Sequence, residues 1–239
     1  MSIKEIDTQP RFELFNTDMK VSDMLDINFS LLLILPRIGM DLKYISLRIY
    51  DACQICNIDS DTFILICNVY TFNDYIPSTE SLENSNLGDI IKYLHNSHNS
   101  YVGNELANLA YYFNKLLNPC NERQKAIVLK FFTDYEAELK NHFKYEEEHV
   151  FPYVEALIKG KKSGNYSIEE FEEHHENVDL KLSDLKNIVM KYLPPECNSA
   201  MRVTVLLSIY HLQDDLRRHT YVENNILVPM VSRLERNGK

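Results

Sequence analysis

The sequence predicts an all-α protein: an up-down four-helix bundle preceded by a small helical N-terminal domain. Three observations carry that expectation. Only 6 glycines and 8 prolines occur in 239 residues, too few for a turn-rich β architecture. Long helical segments follow one another from residue 86 to 234. The loops between them are short, which makes successive helices antiparallel neighbours. Hydrophobic residues make up 45% of the chain, enough to build a core.

Residues 1 to about 20 read as a loose lead-in. From 21 to about 70 come three compact helical stretches, "VSDMLDINFSLLLIL", "LKYISLRIYDACQICN" and "DSDTFILICNVY", with Asp59 or Ser60 placed to cap the last. The polar stretch "TFNDYIPSTESLENSN" contains Pro77 and reads as a linker. The expected division is therefore a domain over 1–75, a linker over 76–85 and a bundle over 86–239. The first long helix, about 86 to 117, spaces Leu87, Ile90, Ile91, Leu94, Tyr101, Val102, Leu106 and Leu109 for one buried stripe, and Asn118-Pro119 ends it. Asn121 with Gln124 forms a capping box for the second, which runs to about Ile158. After the turn "GKKSGNY", Ser167 with Glu170 opens the third, which stops before Pro194-Pro195. The fourth runs from about Asn198 to Leu234.

Charge narrows the function. With 25 basic against 35 acidic residues the formal net charge is -10, which argues against a general nucleic-acid binder. The N-terminal stretch lacks a basic start followed by an apolar run, so no signal peptide is expected. The most apolar stretch, "FSLLLILP" at 29 to 36, is too short to cross a bilayer. Five scattered cysteines, Cys53, Cys56, Cys67, Cys120 and Cys197, then read as reduced thiols, and a cytoplasmic location is expected.

Two segments carry chemistry. "NHFKYEEEHVFPYV" places His142, Glu146 and Pro152, and "RHTYVENNILVPMV" places His219, Glu223 and Pro229. Residues four apart share a helix face, so each histidine sits beside its glutamate. That spacing alone is weak, because His175 and His211 also carry an acid four places on, and a surface pair worth a few tenths of a kcal/mol explains any single case. The longer register is harder to dismiss. At an offset of 77 residues His, Glu, an apolar residue (Val150 and Leu227), Pro, and Val (Val154 and Val231) all recur. Each half also has an earlier histidine: His95 lies 47 residues before His142, and His175 lies 44 before His219. The pattern reads as a duplicated helical hairpin. Two hairpins closed face to face would aim four imidazoles and two carboxylates at the bundle centre.

Burying two carboxylates is costly unless they are neutralised, and metal is the usual solution. Imidazole with carboxylate suits iron, manganese or zinc, and the lack of thiolates argues against a structural cysteine-type zinc site. Two metals could share the four histidines, with both glutamates bridging and room left for an oxo or hydroxo bridge. Such a site would take small ligands such as O2 or NO.

The chain resembles the hemerythrin-like superfamily, and within it the di-iron proteins of the repair-of-iron-centres group. The likeness covers about 84 to 235 and rests on "YLHNSH", "NHFKYEEEHVFP", "EEHHENVDL" and "RHTYVENNILVP". Mapped onto those motifs, it implies metal ligands at His95, His142, Glu146, His175, His219 and Glu223, two non-haem irons bridged by the glutamates, and a bundle fold. It further implies a stress-response role in restoring iron–sulfur clusters damaged by nitric oxide or oxidants, with iron–sulfur client proteins as partners. Reduction of NO or donation of iron is the implied activity, and a monomer or homodimer the expected state. The alternative is an O2 or NO carrier or sensor with the N-terminal helices as output module. Family members often carry an adjacent Cys-Cys pair after a Gly-x-Asp segment; here Gly39 and Asp41 are followed by Leu42-Lys43-Tyr44.

The remaining candidates read more simply as structural. His98 and His149 point roughly toward the same interior stripe and could be neighbours of the site. His174 competes with His175, and Val178 and Leu182 favour His175 as the inward one. His211 falls a layer away. Tyr93 and Tyr145 could line the site, whereas Glu147 and Glu148 read as solvated. Cys53 and Cys56 read as buried apolar residues ahead of a redox pair.

Overall fold

The computed structural model describes residues 14–161, 166–174 and 180–237. Among the described residues there is no β-strand, only an isolated bridge between Lys20 and Arg48. Four short helices come first: α1 (Val21–Ile27), α2 (Ile34–Ile38), α3 (Ile49–Cys56) and α4 (Ser60–Thr71). Asp59 caps α4 by accepting from the Thr62 amide at 2.8 Å. Gly39, at φ 97°, is the left-handed residue that ends α2, a conformation that side chains with a Cβ adopt at a cost. Asp41 then caps a short 3₁₀ turn over Leu42–Tyr44, so the segment keeps its turn chemistry with Leu42 and Lys43 in place of thiols.

The stretch expected to be linker holds a further short helix, α5 (Thr79–Asn84), capped by Ser78. The bundle follows. Its first strut is α6 (Leu87–Ser100) and α7 (Leu106–Leu116), its second α8 (Glu122–Tyr145) and α9 (Phe151–Ile158). The third comprises α10 (Ile168–His174) and α11 (Leu180–Lys191), and the fourth α12 (Ser199–Val222) and α13 (Val228–Asn237). The capping box of Asn121 and Gln124 opens α8 as its sequence predicts.

Two apolar clusters fill the interior. One joins α7, α8, α11 and α12 through residues such as Phe113, Phe132, Leu185 and Ile209. The other joins the lower bundle, including Ile90, Leu94, Phe151 and Ile226, to the N-terminal helices through Met24, Leu35 and Phe63. The N-terminal helices and the bundle therefore share one core.

A buried ion pair fastens them. Arg37 of α2 reaches Asp215 of α12 with two hydrogen bonds, at 2.9 and 2.6 Å, and Glu105 at 3.1 Å. The hydroxyls of Tyr70 and Tyr101 each donate to Asp215 at 3.0 Å, and Tyr93 donates to the Tyr70 hydroxyl. Asn96 of α6 also donates to the Arg37 carbonyl at 2.6 Å. A charge pair withdrawn from water is worthwhile only when further hydrogen bonds support it, and here Glu105, Tyr70 and Tyr101 supply three.

Arg37→Met should therefore lower unfolding stability by about 3–5 kcal/mol in urea titrations, because Asp215 stays buried without its counter-charge. Arg37→Met combined with Asp215→Leu should recover much of that loss. A double variant no more stable than the single one would show that packing, and not the charge pair, holds the two parts together.

Candidate metal centre

Between the two apolar clusters lie the polar residues of the centre. Glu146 and Glu223 have fully buried side chains. His98 of α6 approaches Glu146 at 3.0 Å through Nε2, and His142 approaches the other oxygen of the same carboxylate at 3.1 Å. His219 lies 3.0 Å from Glu223 through its Nε2. The Nε2 atoms of His98 and His219 are 3.1 Å apart. Donor atoms of His98, Glu146, His219 and Glu223 all fall within 4.8 Å of one another, the geometry of residues that could hold a metal ion.

Both glutamates open a π turn, over Glu146–Val150 and Glu223–Leu227. In each, the amide just before the proline, Phe151 or Val228, donates to the glutamate carbonyl five residues back. This explains the recurring proline. Pro152 and Pro229 offer no amide, and in a regular helix their rings would press on the carbonyl four residues back; the wider turn accommodates both defects. A third π turn, Tyr101–Glu105, follows His98 on the first strut without any proline to announce it. All three bracket the cluster.

His95, a candidate from its motif, lies outside this cluster. Its side chain is 51% exposed and bonds Glu147 at 2.7 Å, whereas His98, treated in sequence as a neighbour, is buried in the centre. The reason is helical phase. His98 continues the stripe of Ile91 and Leu94 into Tyr101, and three residues back is about 60° away around the helix. A signal for it existed: His98 and His175 are themselves 77 residues apart, the offset that pairs His142 with His219 and Glu146 with Glu223. His175 lies outside the described residues. His149 and His211 are exposed. Tyr93 belongs to the Asp215 network, and Tyr145 lies against the His149 ring.

Glu147, read as solvated, is instead a partner of the site. It accepts from His98 Nδ1 at 2.8 Å and from His95 at 2.7 Å, fixing the His98 ring with Nε2 turned inward. The ring is also stacked on Phe143, at 4.1 Å between centroids, and on Phe151. Tyr101 and Phe143 stand edge-on to His219. Burial works against a charge on His98, but Glu146 and Glu147 outweigh it and hold the imidazole up to about 9 in the metal-free protein. Burial likewise disfavours charge on Glu147, and its bonds to His98 and His95 reverse that and hold it below the usual carboxylate range. Cys53, by contrast, is buried and its thiol is pushed up to about 12, an inert interior residue.

Two comparisons place this arrangement among known proteins. The description "Hemerythrin HHE cation binding domain" matches residues 90–231. Among curated proteins, the chain is 27% identical over 102 residues to the iron-sulfur cluster repair protein YtfE of Salmonella schwarzengrund, and 29% identical over the same length to those of Salmonella paratyphi B and Salmonella newport. Each match covers 43% of this chain and 46% of the relative, so the chain spans less than half the length of the curated relatives it matches.

His98 binds its proton more firmly in the folded metal-free protein than at its ordinary value of 6.5, so the stability this adds is complete below that value and lost as pH rises through about 9. Glu147→Gln removes one of the three carboxylates responsible, the others being Glu146 and Glu223, and should flatten the decline. Thermal unfolding of both metal-free proteins at about pH 6 and about pH 10 measures it; identical pH dependence would assign the whole effect to Glu146 and Glu223.

Proposed function

The chain belongs to the hemerythrin HHE cation-binding domain family, and from that premise we propose that it is a non-haem di-iron protein supporting repair of iron–sulfur clusters damaged by nitric oxide or oxidants. The observation that carries this reading is the convergence of two fully buried carboxylates and two buried imidazoles within 4.8 Å. So compact an arrangement of electron-pair donors is what a cation neutralises. Imidazole with carboxylate, and no thiolate among the donors, is a set that iron accepts. His98, His142, Glu146, His219 and Glu223 would hold the metals, with His175 as the sixth ligand and His98 in the place first given to His95. Two irons, when bound, supply one-electron redox chemistry and open positions for small ligands such as NO or O2, with NO reduction as an accompanying activity.

The chain's own residues prepare the place. Glu146 and Glu223 bring the compensating negative charge, each from the first residue of a π turn. Glu147 holds the His98 ring by its far nitrogen, and cation uptake would discharge the proton that His98 carries in the metal-free state. Phe143, Phe151 and Tyr101 pack around the imidazoles and keep water out. The buried Arg37–Asp215 pair favours the N-terminal helices as part of the scaffold over a separable output module. Repair itself rests on the likeness to proteins named for iron-sulfur cluster repair.

Metal analysis of anaerobically purified protein tests the centre. About two irons per chain are expected, by the two-histidines-per-metal count. His98→Ala should lose iron while His95→Ala keeps it, and Glu147→Gln should bind ferrous ion roughly 10–100-fold more weakly. No iron uptake, with thermal stability unchanged by added ferrous ion, would overturn the di-iron reading. Recovery of an NO-damaged iron–sulfur dehydratase on adding the iron-loaded protein tests the repair role separately.

A further inference from the structure

Cys120 and Cys197 are also 77 residues apart, at the end of the bundle away from the metal centre. Their surroundings repeat as closely as the ligand motifs do. The Cys120 amide donates to the Leu117 carbonyl at 2.9 Å, and the Cys197 amide to the Pro194 carbonyl at 3.1 Å, so each closes an equivalent turn. The next residue in each case is an asparagine that caps a long helix: Asn121 accepts from Gln124 at the start of α8, and Asn198 from Met201 at the start of α12. The two turns face each other. The sulfur atoms are 3.5 Å apart, and the cysteines are only 5% and 4% exposed.

We propose that Cys120 and Cys197 form a reversible redox pair, a thiol–disulfide site that staples the start of α8 to the start of α12. A disulfide needs sulfurs at about 2.05 Å, and sulfurs already in contact can close that gap largely by side-chain rotation. No other cysteine is placed as a rival in the structure: Cys53 and Cys67 lie in the other apolar cluster. The resting pair is a dithiol. Burial and the neighbouring sulfur push the Cys120 thiol up to about 11, so oxidation is slow, and what sets this pair apart from Cys53 is a second sulfur in contact to trap the product. The oxidant is a hydroperoxide, small enough to reach sulfurs that keep a few per cent of their surface exposed. One thiolate attacks the peroxide oxygen, the O–O bond breaks, and a sulfenic acid forms as water leaves. The second thiol then displaces the sulfenic oxygen: the S–S bond forms, the S–O bond breaks, and the two thiol protons end in water. Two thiols and one hydrogen peroxide give one disulfide and two waters.

The staple acts on the helices that carry both His-x-x-x-Glu motifs. These are the second and fourth struts, which face each other across the bundle diagonal, and the 22 residues from Cys120 to His142 place it about 33 Å from the centre. It therefore limits splaying of the bundle end without touching a ligand.

Hydrogen peroxide added to the purified protein, followed by alkylation of free thiols and tryptic mapping, reads the pair directly. The expected product is the linked peptide LLNPCNER–YLPPECNSAMR, two hydrogens lighter than its parts, with the other three cysteines alkylated and the link reversed by dithiothreitol. Oxidation should raise Tm by about 5–10 °C in wild type and leave Cys197→Ser unmoved. Recovery of Cys120 and Cys197 as separately alkylated thiols, as sulfinic or sulfonic acids, or linked to other cysteines would overturn the proposal. Because mapping uses wild-type protein, it decides the question even if Cys197→Ser fails to fold.

Discussion

Two carboxylates with no exposed surface, Glu146 and Glu223, set the terms for the rest of this molecule. An ionised carboxyl in an apolar interior is tolerated only among groups that balance it. Here the balance comes from imidazoles carried on three struts: His98 and His142 meet Glu146, and His219 meets Glu223. His142 and Glu146 come from one copy of the repeat, and His219 and Glu223 from the other. The contact between the copies runs through His98 and His219. The π turns at Glu146 and Glu223 belong to the same problem, since each places a glutamate and a nearby proline on one strut without breaking it.

The second constraint is the Arg37–Asp215 pair, one turn of α12 before His219. Asp215 gathers hydrogen bonds from α2, α4 and the π turn after α6. The N-terminal helices are therefore tied to the strut that bears His219. Tyr101 belongs to both neighbourhoods, bonding Asp215 through its hydroxyl and packing its ring on His219. Helix placement in the small N-terminal part and the orientation of a site histidine are settled by one connected set of contacts.

Helix caps and breakers made the helices legible in sequence: Asn121 with Gln124, Asp59, Asn118-Pro119 and Pro194-Pro195 end or open helices where local chemistry requires. The shared core was not legible, because periodicity tells which face is buried and not what buries it. The linker reading of 76–85 missed α5, a helix of six residues whose Ser78 cap is a weak signal. At the site, the double His-x-x-x-Glu motif led to Glu146 and Glu223, whose placement follows from spacing. His95 was preferred over His98 on an approximate upstream spacing, 47 residues against 44, and on motif likeness, although the 77-residue register and the Ile91–Leu94 stripe both lead to His98. Glu147 escaped because three consecutive glutamates look alike in sequence, and only the fold distinguishes the one that meets two imidazoles.

The duplication is close at the donors and broken around them. Glu147 has Asn224 as its counterpart 77 residues on, and that residue is exposed. One copy thus carries a carboxylate behind its imidazole, and the other has a neutral amide at the matching position. A repeat this close at the donors is therefore uneven just behind them: the acid that bonds His98 in one copy is answered by an exposed amide in the other. Any pair of ions or any ligand placed there meets two unlike flanks, and head and tail are no longer interchangeable.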